Sequence, residues 1–210
     1  MTDPVPRLLF IPGLGGEGSF WEPVAERLPA AWRKRYLDWP GLGPNPPSPG
    51  VRSLDDLVEL VVEALEDSPM TLIAQSMGCL VALRTALRAP RNLLGLVLTV
   101  APAAVNMPDP LPGLPADLEL PGWVLVRAPE VSAERLCAVA VPTLLISATR
   151  DPHSPLAVAE ELARTLPIAT VFAIDSDDHA IARSHAATVA EAIERHLNGA
   201  PFGSVAPSDK

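Results

Sequence analysis

The stretch Thr71-Leu72-Ile73-Ala74-Gln75-Ser76-Met77-Gly78-Cys79-Leu80-Val81-Ala82-Leu83 decides the fold. Thr71 to Ala74 is a short apolar run that reads as a buried strand, and Met77 to Leu87 carries Ala and Leu at helical spacing. Almost no loop separates them, and Ser76 stands at the corner. A serine at so tight a strand-to-helix turn is forced into a strained backbone, which lifts its hydroxyl above the sheet. The first N–H groups of the helix, beginning with that of Met77, lack an intrahelical acceptor and are open to a developing negative charge. Acyl-transfer chemistry asks for both features around a nucleophile.

Residues Ala74 to Gly78 match the nucleophile elbow G-x-S-x-G, with Ala74 in place of the first glycine. Alanine is the next smallest residue, so strand and helix can still approach closely. A buried serine capping a helix gives the same local pattern. The rest of the chain has to separate the two readings.

The chain has 210 residues, 48% hydrophobic and 20% charged, which suits one globular domain with a large core. Its 25 prolines cluster at 40–49 and 102–129, which predicts loops there. Sixteen basic residues against 25 acidic give a net charge of −9, and no Lys/Arg cluster stands out. That balance argues against nucleic acid or an anionic membrane as partner. No apolar run approaches the ~20 residues that span a bilayer, and the N-terminus lacks the layout of a signal peptide. Cys79 and Cys137 make no metal or disulfide spacing and read as small hydrophobes of a reducing cytoplasm.

Outward from the elbow, Arg7 to Ile11 is a first buried strand running into Pro12-Gly13-Leu14-Gly15-Gly16. That loop has neither the G-K-[ST] nor the G-x-G-x-x-G spacing of a phosphate cradle. Ser19 and Glu22 read as a capping box before Phe20, Trp21, Val24, Ala25 and Leu28. A second strand is predicted near Arg35 to Trp39, followed by a Pro-rich loop, and Ser53 caps a helix with Leu54, Leu57, Val58, Val61 and Leu65 on one face. Later strands are predicted at Leu93 to Val100, Val141 to Ser147 and Ile168 to Ile174. Between them lie a weak helix near Ser132 to Val139 and a helix capped by Ser154 with Pro155 at its first position. Ala186, Val189, Ala190, Ile193 and Leu197 mark the last helix. Strands alternating with helices imply an α/β fold: a mostly parallel sheet of about six strands with helices on both faces. The expected organisation is a single domain over residues 1–198, with a short Pro-rich segment at about 101–140 and a flexible tail at 199–210.

Ligands of such sheets bind beyond the carboxyl ends of the strands. Ser76, Asp151, His179 and the Gly13–Gly16 loop all fall there. A serine hydroxyl needs a base to take its proton, and the base needs an acid to fix its tautomer. The chain order Ser76, Asp151, His179 is the order in which strand-end loops of this kind supply them. Among the histidines, His153 sits beside Asp151, while His185 and His196 belong to the last helix. His179 alone directly follows the last strand, although an ordinary surface histidine would read the same. Asp151 is equally a turn initiator before Pro152. Asp177 and Asp178 share the loop of His179 and are badly placed to reach its far ring nitrogen. Leu14 is a candidate second oxyanion donor through its backbone N–H. Cys79, one residue past Gly78 and facing the core, is a poor nucleophile candidate.

With these residues in place, the chain from about 7 to 198 resembles the α/β-hydrolase superfamily. Pro12-Gly13-Leu14-Gly15-Gly16 resembles its HG-x-x-G oxyanion loop, and Asp38-Trp39-Pro40-Gly41-Leu42-Gly43 is similar to D-x-P-G-x-G. The elbow, the D-x-x-x-P of Asp151 to Pro155 and the late His179 complete the order. The resemblance implies Ser76 as nucleophile, His179 as base, Asp151 as acid, and the N–H groups of Leu14 and Met77 as oxyanion hole. It also implies Gly13, Gly15 and Gln75 against the substrate. Pro12 replaces a histidine that orders the loop, and Asp178 replaces the usual glycine before the histidine. Two N-terminal strands of the full fold are missing by this reading, and the cap shrinks to about 40 residues.

The function these features predict is carboxylic-ester hydrolysis of a small molecule, without metal or cofactor. The same three residues also serve C–C bond hydrolysis, lyase, thioesterase or acyl-transfer chemistry. A hydrolase-like protein that binds a ligand without turnover, as some plant hormone receptors of the superfamily do, is the non-enzymatic alternative.

Overall fold

The computed structural model describes residues 5–66, 68–88, 90–102, 120–125 and 131–199. The apolar runs become strands: β1 (Arg7–Ile11), β2 (Arg33–Tyr36), β3 (Met70–Gln75), β4 (Leu93–Thr99), β5 (Thr143–Ala148) and β6 (Ala169–Ile174). They form one sheet in the order β2-β1-β3-β4-β5-β6, and every pairing is parallel. β3 and β5 are buried at every position, which is why they read as continuous apolar runs rather than alternating ones. From β1 the chain moves outward to β2 and then returns to place β3 on the other side of β1. The order therefore reverses between β1 and β3, and a crevice opens beyond their carboxyl ends. The Gly13–Gly16 loop and Ser76 follow those two strands directly.

Both faces of the sheet are covered. On one, α2 (Leu54–Glu66), α3 (Met77–Leu87) and α5 (Leu156–Thr165) pack Leu57, Val58, Val61, Val81 and Ala159 against Leu9, Leu72, Leu96 and Leu145. On the other, α1 (Glu22–Ala25), α6 (Ile181–Ser184) and α7 (Ala186–Leu197) bring Val24, Ile181, Val189 and Ile193 onto Leu8, Phe10, Ile73 and Val97. Alternate residues of β1 thus serve opposite layers, as the strand period of two demands. Leu57, Val58 and Val61 are fully buried, each contributing about 1.5–3 kcal/mol relative to exposure.

Local structure follows the sequence signals unevenly. Ser53 does cap α2: its Oγ accepts from the Asp56 N–H (3.2 Å), and Asp56 reaches back to accept from the Arg52 N–H (2.9 Å). Ser19 does not form its capping box. It lies inside a 3-10 turn, Gly18–Trp21, that runs straight into α1. Nor does Ser154 cap α5. The helix begins one residue after Pro155, while the buried Ser154 hydroxyl donates to the Ala101 carbonyl (2.5 Å) and ties this loop to the end of β4. β2 begins and ends earlier than the predicted Arg35–Trp39, because the apolar Leu37 and Trp39 turn inward from a loop instead of lying in the strand. His185 stands between α6 and α7, at the start of the latter and without a side-chain capping bond, so the last helical stretch is broken in two.

A further correction concerns charge. Arg33-Lys34-Arg35 lies on β2 with Arg7 of β1 in register with Arg33, so the fold does gather a basic cluster. In the segment between β4 and β5, a 3-10 turn at Gly122–Leu125 precedes α4 (Ala133–Leu136), whose cap Ser132 accepts from the Arg135 N–H (3.3 Å). The remainder of the expected short cap, 103–119 and 126–130, and the expected tail at 200–210 lie outside the described residues. No described helix is long and apolar enough to cross a membrane.

Candidate active site

The loop after β1 is held by its backbone. Pro12 has no N–H to contribute, but its carbonyl accepts from the Trp39 indole (3.0 Å), and the Ile11 carbonyl accepts from the Trp21 indole (3.0 Å). The Trp39 N–H and the Asn45 side-chain amide both donate to the Gly16 carbonyl, at 2.7 and 2.9 Å. Asp38 accepts from the Gly18 N–H at 2.7 Å. The segment Asp38 to Asn45 therefore braces the glycine loop, and Trp39 and Asn45 supply anchors where a histidine in place of Pro12 would have supplied one.

At the elbow, Ser76 has φ 51° and ψ −121°, a conformation that costs a side-chain-bearing residue about 1–3 kcal/mol. The turn is fixed by the Ser76 N–H donating to the Thr99 carbonyl (3.0 Å) and the Cys79 N–H donating to the Ser76 carbonyl (2.8 Å). Gly78 is required by close approach. A β-carbon there would collide with the Pro12 carbonyl oxygen, so any larger residue would push α3 off the glycine loop. Ala74 is fully buried, and its carbonyl accepts from the Thr99 hydroxyl (3.0 Å).

The loops after β5 and β6 are stitched together. The Thr149 N–H donates to the Ile174 carbonyl and the Arg150 N–H to the Ser176 carbonyl, each at 2.9 Å. The stitching brings Asp151 under His179. His179 Nδ1 lies 2.6 Å from Asp151 Oδ2, and His179 Nε2 lies 3.0 Å from Ser76 Oγ. With Nδ1–H donating to the carboxylate, Nε2 is left as an acceptor for the serine proton. Asp151 is 2% exposed, and its other oxygen accepts from the His153 N–H (2.8 Å). Burial alone would raise the Asp151 pKa, but the hydrogen bonds from the His179 ring and the His153 N–H outweigh it and hold the carboxyl below its usual value.

The competing residues are elsewhere or otherwise employed. Asp178 accepts from the Ala180 N–H (2.8 Å), and hydrogen bonds from the Ser184 side chain and that N–H hold its pKa low. His185 pairs with the Ser184 hydroxyl, and burial lowers the pKa of His196 in α7. His153 is the one neighbouring histidine, its ring edge-on to His179 with centroids 5.4 Å apart. Cys79 is fully buried with its thiol on the Thr99 carbonyl (3.3 Å), and burial pushes its pKa far up, away from thiolate chemistry.

Among the described residues, the backbone N–H groups of Leu14 and Met77 donate to no other group. Gly13 is buried and Gly15 exposed. Gln75 is 7% exposed and wedged between two parts of the site: its Nε2 lies 3.5 Å from the His179 carbonyl, and its Oε1 fills the space beside the Gly13 α-carbon. Gln75 is expected from sequence to lie against the substrate, and the sequence carries no signal for this bridging placement.

A parallel sheet carrying a serine elbow, with a histidine and a buried carboxylate in line behind it, defines a class. A family model described as alpha/beta hydrolase fold matches residues 6–126, and a second, described as TAP-like protein, matches residues 122–201. The chain belongs to the alpha/beta hydrolase fold family. It is 34% identical over 112 residues to the pimeloyl-[acyl-carrier protein] methyl ester esterase of Shewanella woodyi, covering 52% of this chain and 42% of that protein. The chain thus spans less than half the length of this curated relative. In structure it is similar to a putative non-heme bromoperoxidase of Mycobacterium tuberculosis, with TM-score 0.77, 20% identity, and 95% and 94% of the two chains covered. It is also similar to a thermophilic esterase of Thermogutta terrifontis, with TM-score 0.75, 22% identity, and 93% and 90% covered. At these identities the two structures establish the fold alone.

Proposed function

We propose that the protein is a serine hydrolase of carboxylic esters. The observation that carries the reading is the continuous line from Ser76 Oγ through the His179 ring to the buried Asp151 carboxylate, at 3.0 and 2.6 Å. His179 takes the Ser76 proton as Oγ attacks the ester carbonyl, and the carbonyl oxygen becomes an anion received by the N–H groups of Leu14 and Met77. Collapse expels the alcohol with the proton from His179. Water, deprotonated by the same histidine, then attacks the acyl-enzyme and releases the acid. Asp151 stays ionised throughout and stabilises the imidazolium. The methyl ester esterase relative favours ester hydrolysis over the other reactions such a triad serves. The substrate is a small molecule, and no step requires a metal or cofactor. Both cysteines are free thiols, one of them exposed, which fits a reducing cytoplasm.

The test is turnover of p-nitrophenyl acetate and butyrate by wild type and Ser76→Ala. A loss of ~10⁴–10⁶ in turnover is expected. Residual activity within tenfold of wild type would remove Ser76 from the chemistry. Product analysis with an added alcohol or thiol separates hydrolysis from acyl transfer. Only about 40 residues separate β4 from β5, and so short a segment favours loose acyl selectivity. Similar kcat/KM values from acetyl to octanoyl esters are expected, and a steep preference for one chain length would count against an open site.

A further inference from the structure

We propose that a cavity at the amino ends of β1, β2 and β3 binds the phosphate or diphosphate group of an anionic ligand. The cavity, about 240 Å³, is lined by Arg7, Arg33, Lys34, Arg35 and Ser68, with Leu8 and Met70 at its apolar side. Small-molecule pockets run from ~300 to 1,000 Å³, so this one fits a compact head group rather than a whole cofactor.

Charge makes the cavity unusual. The chain carries −9 overall, yet four of its 16 Lys and Arg residues border the cavity, Arg7, Arg33 and Arg35 on one face of the sheet and Lys34 on the other. Arg7 and Arg33 are register partners on adjacent strands, so their side chains leave the same face side by side. Like charges placed directly opposite across a sheet are destabilising, by up to ~1 kcal/mol, unless something neutralises them. The described arginine–carboxylate pairs lie elsewhere, at Arg84, Arg88, Arg150 and Arg164. Among the described residues neither Arg7 nor Arg33 has a side-chain partner.

Their neighbours are already oriented. Lys34, next along β2, faces the opposite layer, where its Nζ donates to the Leu28 and Pro29 carbonyls (3.0 and 3.1 Å). Arg35 reaches the Ala64 carbonyl at the end of α2 (3.4 Å). Two planar guanidinium forks side by side match the several oxygens of a phosphate better than a lone carboxylate.

The cavity does not belong to the Ser76 site. Met70 opens β3 and Gln75 closes it, and the length of the strand separates the two ends by about 16 Å. It is a second site, independent of the ester chemistry.

The experiment uses the whole chain, wild type and Arg7→Gln/Arg33→Gln, in two arms at fixed ionic strength. One arm is calorimetric titration with sodium pyrophosphate. The other is co-sedimentation with phosphatidylcholine vesicles with and without phosphatidic acid. The dissociation constant for pyrophosphate should rise at least tenfold in the double variant, while its unliganded Tm stays level or rises as the repulsion goes. Arg7→Lys/Arg33→Lys, which keeps the charge but loses the forks, should fall between. Retention on phosphatidic acid vesicles alone, lost in the glutamine variant, would support the site and assign the phosphate to a lipid head group. Equal affinity in wild type and variant, or binding in neither arm, would overturn the proposal.

Discussion

The side-chain oxygen of Gln75 occupies the space that a β-carbon on Gly13 would need. Gln75 closes β3 immediately before Ser76, and its amide nitrogen faces the backbone carbonyl of His179 at 3.5 Å. One buried side chain therefore touches the glycine loop after β1 and the loop that carries His179.

Gly13→Ala should be costly for this reason. The new methyl group must displace the Gln75 amide or the glycine loop, and overpacking of that kind costs ~1–3 kcal/mol of stability. A shift of about 1 Å in the Leu14 N–H costs up to ~10²-fold in rate. Kinetics on p-nitrophenyl acetate should show the loss mainly in kcat. Shortening the neighbour in Gly13→Ala/Gln75→Ala should recover part of the lost stability, and a double variant no more stable than the single would contradict the contact.

Asp151→Asn should leave the fold intact and lower kcat by ~10⁴. The amide is nearly isosteric, but it favours the imidazole tautomer that presents N–H to Ser76. The measurement is steady-state turnover beside a circular dichroism spectrum. A loss under tenfold with an unchanged spectrum would show that the carboxylate does not set the tautomer.

The same carboxyl makes stability depend on pH in a definite direction. Its pKa in the folded chain is lowered, because the His179 and His153 hydrogen bonds outweigh its burial. The unfolded chain holds its proton more tightly. Asp151 therefore contributes stability that is present above its unfolded value of about 3.9 and is lost as pH falls through the folded value. In Tm scans from pH 7 to 2.5, wild type should lose more Tm on acidification than Asp151→Asn. Parallel curves would mean that the carboxyl is not held low.

The two cysteines should differ sharply toward alkylation. Cys79 is fully buried with a raised pKa, and Cys137 is exposed. Iodoacetamide on the native protein should give one adduct, at Cys137 by peptide mapping, without loss of ester turnover. Modification of Cys79 in the folded protein would show that α3 opens.

Much of this was legible because the decisive signals are local. A parallel sheet buries its strands on both sides, so β3, β4 and β5 announce themselves as apolar runs, and the strand-end loops carry Ser76, Asp151 and His179 in order. What was illegible depends on tertiary placement. β2 is a basic strand at the sheet edge with little apolar signature, so the neighbouring Leu37 and Trp39, which dive into the core from a loop, drew the predicted strand toward themselves. Ser19 and Ser154 have the residue type of a cap, but one is absorbed in a 3-10 turn and the other is claimed by the Ala101 carbonyl. Arg33-Lys34-Arg35 is a visible basic run, but its meeting with Arg7, 26 residues away in sequence, depends on the pairing of β1 with β2.

The most direct test is intact-mass analysis after treatment with a fluorophosphonate, on wild type and Ser76→Ala. An activated serine at the elbow predicts one phosphonate adduct on wild type, mapping to Ser76, and none on the variant. An unmodified wild-type protein, or an adduct that persists in Ser76→Ala, would contradict the assignment of Ser76 as the nucleophile.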